Sequence, residues 1–266
     1  MKQYLSYFLV AVLVYACTTV PMTGRRQLSL VPNSEILPLS YTSYQQVLKD
    51  AKVVTKGRKA DMVKNVGARL QKAVEKYMAD NNLSSQLSNY EWEFVLLDDD
   101  AVNAWCMPGG KVAFYTGIMP VCKDNDGVAV VMGHEVAHAV ANHGRERMSQ
   151  GLAQQFGGAA LSVALAEKPA ATQQLFNTAF AVGSTYGAMM PFSRLHESEA
   201  DRMGLIFMAI AGYDPNAAPG FWKRMSEMSG GAKPPEFMST HPSDQRRIND
   251  LNAAMPEAMK YYKASN

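Results

Sequence analysis

This 266-residue chain has few long apolar runs, few cysteines and no excess of either charge. Its 26 Lys and Arg against 24 Asp and Glu leave a formal charge of +2, which gives no electrostatic footing for binding nucleic acid. With 47% hydrophobic and 19% charged residues it is too apolar for a disordered chain, and it is long enough to bury one sizeable core. No internal repeat divides it, and nothing after residue 17 reads as a transmembrane helix, which needs about 18 or more apolar residues. The cysteines are Cys17, Cys106 and Cys122. In an oxidising compartment the last two either pair or remain two buried thiols.

The one apolar run, Leu5 to Ala16, follows Lys2 and stops at Cys17, the pattern of a secretory segment. Val14-Tyr15-Ala16-Cys17 resembles a bacterial lipobox, so residues 1–16 are expected to be a lipoprotein signal peptide and Cys17 the lipidated residue. Thr18 stands where an Asp would retain such a protein at the inner membrane, which favours the periplasmic face of the outer membrane. An ordinary signal peptide and release into the periplasm is the alternative. Residues 17–40, with Pro21, Gly24, Pro32 and Pro38, read as a tether, and 41–266 as one domain.

Apolar residues at three- and four-residue spacing from Tyr44 to Met78 predict a helix that Gly57 divides. Strands are expected at 92–97, 101–105 and 111–116, with a turn at Pro108-Gly109-Gly110. Helices are expected at 126–142, 148–166, 173–188, 196–211, 215–229 and 242–255, the last capped by Ser243 or Asp244 after Pro242. The class is therefore α+β, mostly helical with a small sheet. Asp98-Asp99-Asp100 reads as a solvated turn.

The informative segment is His134-Glu135-Val136-Ala137-His138. Four residues along a helix return to the same face, so His134 and His138 can share one zinc ion while Glu135 reaches the water it activates. The flanking helix is apolar, where two histidines and a glutamate without a metal would be costly to bury. A metzincin would carry Gly at 141 and His at 144, whereas this chain has Ala141 and Gly144. The third ligand is then expected from a later helix, and Glu197 is the choice, with His196 its nearest competitor. Asp201, four residues on, is expected to hold a ligating histidine, and Glu199 to point elsewhere. His143 and Arg145 are expected to fix the end of the metal helix. His241, in Thr240-His241-Pro242, is a candidate for stabilising the oxyanion or for filling the open metal position at rest, with Arg247 supporting that region.

Together with Thr23-Gly24-Arg25, Asn103-Ala104 and Ser193-Arg194, these motifs resemble the gluzincin metallopeptidases that include HtpX and the CAAX prenyl proteases. The likeness is to their bacterial lipoprotein branch, typified by LoiP and YcaL. The resemblance implies one catalytic zinc ion on His134, His138 and Glu197, Glu135 as general base and Asp201 behind the ligands. It also implies a mostly helical fold whose edge strand, near Asn103, Ala104 and Trp105, receives an extended polypeptide substrate. The chain lacks the membrane spans of HtpX, so the implied role is cleavage of unfolded or misassembled envelope proteins at the outer membrane. The outer-membrane assembly machinery is a candidate partner. A zinc-bearing periplasmic chaperone or assembly factor with latent peptidase activity is the alternative.

Overall fold

The computed structural model describes residues 17–156, 170, 172, 193–228, 235–241 and 245–263. The expected signal peptide, the helix expected at 173–188, most of the one at 148–166 and the cap at 242–244 lie outside them.

The described chain begins with an antiparallel pair, β1 (Cys17–Thr19) and β2 (Arg26–Leu28). Helix α1 (Asn33–Asp50) follows, beginning earlier than the sequence pattern suggested. Residues 33–40, expected as the end of a tether, are helical because Ile36, Leu37, Ser40 and Tyr44 make a buried stripe that tolerates Pro38. A short strand, β3 (Val53–Val54), separates α1 from α2 (Arg58–Asp80). Gly57, at φ 101°, makes the expected division, in a conformation where a side chain would be strained.

Strands β4 (Glu93–Leu97), β5 (Ala104–Met107) and β6 (Lys111–Tyr115) complete a four-stranded mixed sheet of order β3-β4-β6-β5. β4 and β6 are parallel and the other two pairings antiparallel, so β5 is an edge. Alternation along the strands feeds two layers. Leu96, Ala104, Val112 and Phe114 join the main core with Val66, Leu70 and Val74 of α2. Val95, Leu97, Trp105, Met107 and Ala113 pack on the other face with Tyr44 of α1.

After the one-turn helix α3 (Met119–Cys122), the main layer is completed by α4 (Asn125–Val140), α5 (His143–Phe156) and α6 (Arg194–Ile210). Then come α7 (Ala217–Met228), the short α8 (Glu236–Thr240) and α9 (Gln245–Ala258). The fold is mostly helical with one small mixed sheet, as the sequence predicted. The helix expected at 242–255 is α9, and the short α8, which ends at His241, precedes it. Among the described residues no helix is long and apolar enough to cross a membrane. Among the described residues Cys17, Cys106 and Cys122 form no disulfide.

Candidate metal centre

Helix α4 starts where Asp124 accepts a hydrogen bond from the Gly127 N–H, a cap for one of the amides the first turn leaves unpaired. From Gly127 to Val140 every residue is buried, so its polar side chains must find partners inside the protein. Helix α6 is capped in the same way by Ser193, which accepts from His196 N–H and places Glu197 in the first turn. The two helices touch at Gly133 and Gly204. A Cβ on Gly133 would lie 2.9 Å from the Gly204 carbonyl oxygen, so only glycines allow this approach. It brings Glu197 to the histidines of α4.

Four buried side chains converge: His134, His138, Glu197 and His241. His134 Nε2 lies 3.0 Å from His138 Nε2 and 3.1 Å from His241 Nδ1. Glu197 Oε1 is 3.3 Å from His138 Nε2 and 3.0 Å from His241 Nδ1, and its Oε2 is 3.5 Å from His134 Nε2. A tetrahedron of donors about 2.0–2.1 Å from a zinc ion has edges of about 3.3 Å, so these separations fit one ion. The donor chemistry agrees, because lone pairs of several nitrogens and a carboxylate aimed at one point repel unless protons or a metal cation lie among them.

Each donor is backed. His134 Nδ1 is 2.9 Å from Asp201 Oδ1. Arg247, on α9, donates to Glu197 Oε2 and Asp201 Oδ1 at 2.7 Å each, and its guanidinium lies 3.3 Å from the centre of the Trp222 ring. His138 Nδ1 is 2.9 Å from His143 Nδ1, and His143 Nε2 is 3.3 Å from Glu199 Oε2. His143 therefore does more than end a helix, and Glu199, which lies outside the four-residue cluster, supports it from behind. His196 stays out of the cluster and meets Glu146 Oε2 at 3.0 Å. Arg145 holds Asn33 and Thr18.

Glu135 is buried, and burial pushes its carboxyl up to about 7. Its Oε1 is 3.3 Å from His241 Nε2. Burial would raise Glu197 too, but His241, Arg247 and the bonds from His134 and His138 hold it well below the usual carboxylate range. Burial lowers His138 strongly and takes His143 to about 4, so both rings are neutral near pH 7 and free to act as ligand or acceptor.

The edge strand β5 packs beside α4. Ala104 and Cys106 face the main core containing α4, while the Trp105 ring turns to the opposite layer, against Tyr44 and within 3.2 Å of the Tyr115 hydroxyl. What Trp105 can offer a ligand is thus its backbone. Asn103 is buried, with its side-chain oxygen accepting from the Ala104 N–H. The Asp98–Asp100 segment is an exposed turn, with Asp98 paired to Lys52. Sequence reasoning missed the roles of Thr23 and Arg25, which bond Glu199, and of Glu146, which bonds Arg25 and His196. The motif Thr23-Gly24-Arg25 stood out, but nothing in the sequence linked it to a helix more than 170 residues away.

An HExxH helix beside a small mixed sheet, with a glutamate from a later helix closing the donor set, is the gluzincin metallopeptidase arrangement. The chain belongs to peptidase family M48, whose model matches residues 65–255. It is 40% identical over 175 residues to the mitochondrial metalloendopeptidase OMA1 of Schizosaccharomyces pombe, covering 65% of this chain and 50% of that protein. To the human metalloendopeptidase OMA1 it is 29% identical over 254 residues, 92% of this chain and 47% of the relative. The beta-barrel assembly-enhancing protease of Escherichia coli is 28% identical over 163 residues, 60% of this chain and 33% of the relative. The matched part thus spans half or less of these three proteins. Family membership and the four-residue cluster support zinc metalloendopeptidase activity.

Proposed function

We propose that this protein is a zinc-dependent endopeptidase that cleaves unfolded or misassembled envelope proteins. The observation that carries the reading is the meeting of His134, His138 and Glu197 at zinc-ligand spacing with Glu135 alongside. A zinc ion held by these three side chains supplies Lewis acidity, polarising a peptide carbonyl and acidifying a water.

Glu135 takes the proton of the attacking water and returns it to the departing amine, and its raised pKa suits both halves of that task. His241 must give up its place among the donors when a peptide enters, and from there its ring can donate to the developing oxyanion. Asp201 and Arg247 hold His134 and Glu197 in place. The substrate lies extended along the open edge of β5, beside Asn103 and Ala104, bonding through its main chain.

Residues 1–16 act as a signal, and Cys17 carries the lipid that holds the protein at the periplasmic face of the outer membrane. The relative named for β-barrel assembly supports an envelope role and makes the assembly machinery a candidate partner. One observation favours a second reading, a chaperone with latent activity: His241 sits among the donors and beside Glu135.

The test is cleavage of an unfolded protein by wild type and Glu135→Gln, with zinc content measured in both. Zinc in both with cleavage by wild type alone supports the peptidase. Zinc without cleavage by either favours the chaperone, and full activity in the variant overturns the mechanism. Labelling with a radioactive fatty acid, lost in Cys17→Ala, tests the anchor.

A further inference from the structure

Beside the metal centre lies a second polar cluster, formed by the buried His143, Glu146, His196 and Glu199 with the half-buried Thr23 and Arg25. Arg25 donates through Nε to Glu199 Oε2 at 2.6 Å, and through its two terminal nitrogens to both oxygens of Glu146 at 3.0 and 2.7 Å. Thr23 donates to Glu199 Oε1 at 2.6 Å. The His143 and His196 rings stack 4.4 Å apart, and His196 meets Glu146. One guanidinium thus stands between two carboxylates whose side chains are only 8% and 7% exposed.

We propose that the N-terminal segment carrying Thr23 and Arg25 positions the zinc ligand His138, acting through Glu199 and His143. The inference rests on the zinc reading above. For His138 to offer Nε2 to a metal, its hydrogen must sit on Nδ1, 2.9 Å from His143 Nδ1. His143 must then accept at Nδ1 and carry its own hydrogen on Nε2, which faces Glu199 Oε2 at 3.3 Å. The donors therefore run one way, from His138 to His143 to Glu199, and end on a carboxylate fixed by Thr23 and Arg25. His134 differs, since it meets its carboxylate, Asp201, directly.

Without Arg25, Glu146 and Glu199 repel across the gap it fills, and Glu199 turns from His143. The ring of His138 then loses the partner that sets its orientation. Arg25, Thr23, Glu199 and His143 are positioning residues, and the first two lie outside the stretch matched to the family, residues 65–255.

The experiment measures zinc affinity of the full chain by chelator competition, and the visible absorption of the cobalt(II)-substituted protein. Wild type is compared with Arg25→Gln, Glu199→Gln, their double variant, Thr23→Val and Arg25→Lys. Loss of a group supporting a ligand typically costs about 10–100-fold in metal affinity, and that range is expected for Arg25→Gln and Glu199→Gln, with an altered cobalt spectrum. Thr23→Val should lose less. The double variant should be no worse than the weaker single, because both break one chain of contacts.

Arg25→Lys keeps the charge but cannot bond both carboxylates as a fork, so an intermediate loss is expected. This variant keeps the inference testable if Arg25→Gln does not fold. Folded Arg25 variants with zinc affinity within about twofold of wild type and an unchanged cobalt spectrum would overturn the proposal, leaving Arg25 as a fastener of the N-terminal strands alone. Failure of wild type to bind zinc overturns the zinc reading and this inference with it.

Discussion

His241 engages Glu135 through Nε2, at 3.3 Å, while its Nδ1 stands 3.0 Å from Glu197. One ring thus spans the group expected to move the proton and one of the groups expected to hold the metal. A peptide carbonyl cannot approach until that ring moves. His241→Ala is expected to speed metal loss to a chelator and, by removing the oxyanion donor, to lower the first-turnover rate on a short peptide, measured in rapid-quench experiments. A lower rate with unchanged metal retention would assign the ring to the oxyanion and not to the resting site.

Arg247 is buried against Glu197, Asp201 and the Trp222 ring. Arg247→Met keeps much of the volume but leaves two carboxylates without their cation. Breaking a buried pair from one side costs about 3–5 kcal/mol, and that loss is expected for the zinc-free protein in denaturant unfolding. Added zinc should restore part of it, because its charge faces Glu197.

The contact of Gly133 with Gly204 sets the distance between α4 and α6. In Gly204→Ala the new Cβ would lie 2.9 Å from the Gly133 carbonyl carbon, backbone that cannot turn aside. Overpacking of this kind costs about 1–3 kcal/mol. Since Glu197 is on one helix and both histidines on the other, weaker zinc binding should accompany the lower stability. Loss of stability with unaltered zinc affinity would mean that the helices part without shifting the donors.

Acid should loosen the second cluster, which neutral pH leaves intact. Burial opposes ionisation of Glu146 and Glu199, but His196 and Arg25 around the first, and His143, Thr23 and Arg25 around the second, hold both at about 2. The unfolded chain therefore takes up these protons first as pH falls. The stability they contribute is fully present above about 4.5 and is lost towards pH 2. Thermal midpoints of zinc-free protein across that interval should fall less steeply for Arg25→Gln than for wild type. Equal slopes would show that Arg25 does not hold the two carboxylates down.

What the sequence disclosed follows from distance along the chain. His134, Glu135 and His138 were legible because one helical turn places them. Glu197 and Asp201 were legible because four-residue spacing puts two carboxylates on one face. The same logic set Glu199 apart from the donor set, yet could not show that its own face meets Arg25. The helix at Asn33 was hidden by Pro38, whose presence suggested a tether until the buried stripe of Ile36, Leu37 and Tyr44 was seen. Trp105 fell on the expected strand, but alternation sent its ring to the layer of Tyr44, and only the sheet order decides which layer holds the metal helix.

All five histidines of the chain, His134, His138, His143, His196 and His241, are buried in and around one polar interior. Imidazole resonances in a nitrogen-15 spectrum of this protein would therefore come from that interior alone, free of surface background. Uniform labelling would suffice to follow tautomers, metal arrival and departure of the His241 ring, one residue at a time.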